Sequence, residues 1–107
     1  MDSIKNIIWD LAVETEANLE ELYDLELDKA LNKFFKRVLE VQRKQTFLEG
    51  EWTTTSYSFI LAVGGPAIII DNDNVEVYWL PEEVVRPLSS KAILFLREVE
   101  EYLEELI

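Results

Sequence analysis

Apolar residues in the first half of the chain recur at helical spacing. Ile4, Ile7, Ile8 and Leu11 follow the i, i+3, i+4, i+7 pattern of one helix face, with Asp2 or Ser3 ahead of them as N-cap. A second stripe starts near Leu19 and passes through Leu22 and Tyr23. Asn18 and Glu21 stand at its start with the spacing of a capping box. The third stripe is the cleanest: Leu27, Ala30, Leu31, Phe34, Phe35, Val38 and Leu39. Neither glycine nor proline occurs before Gly50, so residues 1–49 read as helical and Gly50 as their end. A break is expected at 13–17, where Val13, Glu14 and Thr15 combine weak helix propensity with like charge, and an offset near Asp24 to Asp28.

The pattern then changes period. From Trp52 to Val63 Thr and Ser give way to Tyr, Phe, Ile, Leu and Val, the composition of a strand. Gly64-Gly65-Pro66 makes a turn, Ala67 to Ile70 a short strand, Asp71 to Asn74 a second turn, and Val75 to Leu80 a third strand. Pro81 is expected to stop the sheet. Pro87 and Leu88-Ser89-Ser90 open a last helix, with Ser89 as N-cap and Leu88 and Ile93 at the two staple positions. Its inner face carries Ala92, Phe95, Leu96, Val99, Tyr102, Leu103 and Leu106. The expectation is one α+β domain over 1–107: helices over 1–49, a three-stranded antiparallel meander over 52–80 and a helix over 88–107, the helices packed on one face of the sheet. Such a sheet offers more apolar surface than one helical layer covers, and a homodimer is the expected use of the remainder.

Composition narrows the chemistry. The 107 residues are 49% hydrophobic and 30% charged, enough to build a core. Twenty-two acids against 10 bases leave a formal charge of -12, which disfavours direct contact with nucleic acid or an anionic membrane. Zero cysteines remove thiol catalysis, thiolate metal sites and disulfides, and zero histidines remove the commonest general base and transition-metal ligand. Serine triads and zinc hydrolase sites therefore cannot be assembled within one chain. No apolar run approaches the roughly 20 residues of a membrane helix. The start, MDSIKNIIWDL, carries acids where a secretory signal carries bases, so a cytoplasmic location is expected.

Charge is also segregated. Residues 1–25 carry net -6, residues 26–50 net +2 and residues 51–107 net -8. Lys29, Lys33, Lys36, Arg37 and Lys44 are expected along one side of the third helix. Glu98, Glu100, Glu101, Glu104 and Glu105 load the last turns of the final helix, where negative charge opposes the macrodipole. Adjacent glutamates on a helix diverge, and no carboxylate set has ligand spacing, so neither a metal nor another cofactor is expected. Asp71, Asp73 and Glu82 fall at positions 1, 3 and 12 of a calcium loop, but Val75 and Glu76 occupy positions that need an oxygen ligand and a glycine. The hairpin turn is the preferred reading. Gly64-Gly65-Pro66 likewise lacks the lysine of a phosphate loop.

The run SYSFILAVGGPAIII at 56–70, with VEVYWL at 75–80 and RPLSS at 86–90, resembles small proteins of phages, archaeal viruses and plasmids in which a strand ends in Gly-Gly-Pro and a Trp-bearing strand leads to a helix. The resemblance covers the second half of the chain and implies a mobile-element origin and a role in host interaction.

These readings converge on a non-enzymatic, dimeric interaction protein that blocks a basic, nucleic-acid-binding protein as a DNA mimic or anti-CRISPR-like inhibitor. The carboxylates expected to carry binding are Glu98, Glu101 and Glu105, then Glu82 and Glu83, with Trp52 as an exposed anchor at the mouth of a strand. One alternative is a structural homodimer joined through apolar sheet or helix surface. Another is a carboxylate-based protein for divalent metal or a small ligand.

Overall fold

The computed structural model describes residues 3–106, and every side chain among them but that of Thr55. The chain is α+β. Helices α1 (Ile4–Tyr23) and α2 (Leu27–Arg37) precede strands β1 (Glu40–Leu48), β2 (Glu51–Ala62), β3 (Ala67–Asp71), β4 (Asn74–Trp79) and β5 (Glu82–Pro87), and helix α3 (Ser90–Glu105) follows. The strands form one antiparallel meander in the order β1-β2-β3-β4-β5. No helix among the described residues is long and apolar enough to cross a membrane.

The sheet has five strands, not three, and both additions correct the reading from sequence. Residues 40–48 are strand rather than helix. Val38 and Leu39 end the helical segment, and Glu49 (φ 52°) with Gly50 (φ 84°) makes the positive-φ turn of a two-residue hairpin. Glu, Gln, Arg and Lys are good helix formers, but intrinsic propensity is a small bias and cross-strand pairing with β2 overrides it. Pro81 turns the sheet instead of stopping it: Leu80-Pro81 connects β4 to β5, and Pro87 closes β5 as its last residue.

Helix α1 runs unbroken through 13–17. Ala12, Thr15, Glu16 and Leu19 are all buried there, and the Thr15 hydroxyl donates to the Leu11 carbonyl at 2.7 Å, so tertiary packing outweighs poor local propensity. The offset at Asp24 does occur, as the C-cap of α1. Ser3 caps α1 by accepting from the Asn6 amide, and Ser89 caps α3 by accepting from the Ala92 amide at 3.2 Å. The Asx turn forms with Asn72 and Asp73 at positive φ.

The register aligns Phe59, Ile70, Val75 and Arg86 across one face, with Ile68, Val77 and Val84 in the next row. Phe59, Ile70, Val75 and Val77 are buried together with Ile8 of α1, Phe34 of α2 and Phe95 and Val99 of α3. Phe34 is the hub: its ring stands edge-on to Phe59 at 5.2 Å and to Phe95 at 5.6 Å. Arg86 meets α1 through Glu16, at 3.1 Å. The opposite face carries Ile60, Ile69, Tyr78 and Val85, half-buried or exposed.

The molecule is extended. Its radius of gyration is 14.8 Å, against about 13 Å for a compact chain of this length. The accessible surface is 7022 Å², against about 6,200 Å² from mass scaling. One feature extends the molecule: β3 pairs only with Ser58–Ala62 of β2, so the rest of the β1–β2 hairpin, the arm, projects beyond β3.

Candidate functional site

The arm has a built base and an exposed end. At the base, the Tyr57 hydroxyl donates to Glu104 of α3 at 2.6 Å, and Arg43 of β1 approaches the same carboxylate oxygen at 3.9 Å. Burial, reinforced by the Glu104 carboxylate, pushes the Tyr57 phenol up to about 12. The Tyr57 hydroxyl in turn holds the Glu104 carboxyl below its ordinary value. One acid of the loaded helix end is therefore spent on anchoring the arm. Its cation comes from β1, and of the expected basic helix face Lys29, Lys33, Lys36 and Arg37 lie on α2 while Lys44 lies on β1.

Outward from that base, the register between β1 and β2 steps: Lys44 faces Ser56 and Gln45 faces Thr54, so β2 holds one extra residue, a bulge that bends the arm. At the end Phe47 and Trp52 sit opposite one another with ring centroids 5.2 Å apart. They remain 56% and 66% exposed, and Leu48, on the opposite face of the hairpin, is 68% exposed. Glu49 and Glu51 flank the group. All nine residues of β1 are exposed, and β1 is an edge of the sheet.

Of the residues expected from sequence to bind a partner, Trp52 stands exposed near the start of β2. Glu98, Glu101 and Glu105 fall in one stripe on the outer side of α3, away from Phe95, Leu96 and Val99, with Glu101 and Glu105 exposed and Glu98 half-buried. Glu82 and Glu83 do not join them. They open β5 opposite Trp79 and Tyr78, a strand's length from Ser89, where α3 begins. Phe47 and Leu48 went unnoticed in the sequence because residues 40–49 read as helix. The available signal was the Glu49-Gly50 turn pair immediately before a run of strand-like composition.

A cleft of about 460 Å³ lies between the arm base, the β3–β4 turn and α3, lined among others by Tyr57, Asp73, Arg97 and Glu100. Its charges answer one another: Arg97 donates to Asp73 at 2.6 Å and to Glu100 at 3.2 Å. Burial raises the Glu100 carboxyl against the pull of Arg97. The cleft thus joins α3 to the β3–β4 turn. Among the described residues, no group of three or more acids stands together as a metal centre. Comparison with protein-family models, with curated proteins and with solved structures gives no match.

Proposed function

We propose that the chain is a non-enzymatic interaction factor whose docking element is the β1–β2 arm. One observation carries the reading: an aromatic pair, Phe47 and Trp52, stands exposed on one face at the end of a projecting hairpin, with Leu48 exposed on the other. Apolar groups contribute to folding only when removed from water, and nothing in the fold covers these three. Large aromatic side chains lose little conformational freedom on binding and dominate interface energetics. The helices share one hydrophobic core with the sheet, and the arm extends from that body.

Flanking Glu49 and Glu51 suit a partner protein whose apolar pocket is rimmed by basic residues. The formal charge of -12 would speed that encounter. A nucleic-acid-binding protein has such a surface, and an inhibitor of one, encoded on a mobile element, is the role most consistent with the acidic body. A second reading, the DNA mimic, is favoured by the outward stripe Glu98, Glu101 and Glu105 on α3. The position of Glu82 and Glu83 shortens its carboxylate ladder.

The two readings separate by substitution. The immobilised chain, its F47S/W52S variant and its E98Q/E101Q/E105Q variant are compared for capture of basic proteins from host extract at low and high salt. The arm reading expects capture lost with F47S/W52S and retained by the α3 variant. The reverse pattern would establish the mimic and sink the arm.

A further inference from the structure

The two edges of the sheet are unlike. β5 is short, bounded by Pro81 and Pro87, and packed on by α1, as protected edges are. β1 is nine residues long, contains neither glycine nor proline, and is exposed throughout. Its ladder groups on the outer side are those of a strand that accepts another strand.

We infer that β1 pairs antiparallel with β1 of a second copy about a two-fold axis at Gln42, joining two five-stranded sheets into one. The inference rests on the arm being a docking element and names what its edge takes. Charge fixes the register. A two-fold axis perpendicular to a sheet keeps each face on its own side, so only residues of like parity stand opposite one another. With the axis at Gln42, Glu40 meets Lys44 of the second copy and Lys44 meets its Glu40, while Val41 and Arg43 face each other. An axis at Glu40, Arg43 or Lys44 sets a charge against its own copy, and one at Val41 or Gln45 pairs no opposite charges. Of the axes within β1, Gln42 alone therefore gains two ion pairs between strand residues, since an axis at Thr46 brings Arg43 only to Glu49 of the positive-φ turn. The segment Glu40–Lys44 also ends where the bulge begins, so the stretch used is the regular one. Glu40 and Lys44 both project on the face of Ser58 and Ile60, away from Phe59, and their pairing leaves the core undisturbed. In a chain of charge -12, the net +2 of residues 26–50 makes this the region where two copies repel least.

Sedimentation equilibrium of the wild type, E40K, K44E and E40K/K44E tests the register, with circular dichroism confirming the same fold. The wild type is expected as a dimer of twice 12.5 kDa at high concentration. Each single reversal is expected to weaken it about tenfold or more, since two attractions become two repulsions, and the double reversal to restore it. General repulsion makes the opposite forecast for E40K, whose formal charge falls in magnitude from -12 to -10 and would tighten association. A monomeric wild type, tighter E40K, or a double variant that stays weak overturns the pairing. The arm reading has its own readout: capture of basic proteins that depends on Phe47 and Trp52 stands even if every form is monomeric.

Discussion

Glu16 is the acid whose loss should cost most. It lies on α1 with its side chain 12% exposed and accepts three hydrogen bonds: from Arg86 Nη2 at 3.1 Å, from Arg86 Nε at 3.3 Å and from the Ser89 amide at 2.8 Å. It therefore ties α1 to the corner where β5 turns into α3. Glu16→Ala removes the acceptor from a guanidinium and a backbone amide together. Hydrogen bonds to charged groups contribute about 1.5–3 kcal/mol each, and breaking a fully buried pair costs about 3–5 kcal/mol. Arg86 is 29% exposed and also lies over the Trp9 ring at 5.0 Å, so water and the ring compensate part of the loss. The net expectation is a destabilisation of about 2–3 kcal/mol, or a fall in Tm of about 8–15 °C. Glu16→Gln, which keeps the acceptor and loses the charge, should cost about half as much. Urea unfolding followed by tryptophan fluorescence reads both, with the m-value unchanged. A cost for Glu16→Ala below about 0.5 kcal/mol, the level of an exposed pair, would refute the clamp.

Alkaline pH should loosen the fold through two tyrosines. Tyr57, by burial and then Glu104, and Tyr78, by its hydrogen bond to Glu76, are both pushed up from 10 to about 12. A raised phenol pKa means that the folded state holds the proton more tightly. That contribution is full below pH 10 and is lost as pH rises toward 12, and urea titrations of Y57F and Y78F should show a shallower loss over that window. Steeper or unchanged loss contradicts the assignment. Ser89→Ala removes both the α3 cap and a 2.7 Å bond to Glu20, and should lower stability by about 1–2 kcal/mol in the same assay.

Much of the fold was legible because its signals are local. Ser3, Ser89, the Asx turn at Asp71–Asn74 and the Gly64–Pro66 turn each act within a few residues, and β2 to β4 sit within a residue or two of their expected bounds. What was hidden depends on distant partners. Residues 40–48 carry helix-favouring Glu, Gln, Arg and Lys, and become strand because β2 lies alongside. The same misreading concealed the arm, leaving Trp52 as the one visible half of an aromatic pair. Glu16 and Arg86 are separated by seventy positions, and nothing local marks their pairing. The acid-rich end of α3 was conspicuous in sequence, but the recruitment of Glu104 by Tyr57 depended on a hairpin the pattern did not reveal.

The arm as docking element is tested most directly by amide hydrogen exchange, measured on the chain alone and on the complex recovered by capture. Slowed exchange concentrated in residues 44–54, with α3 unchanged, is the result expected here. Protection confined to the outer turns of α3, with the arm exchanging as in the isolated chain, would contradict it.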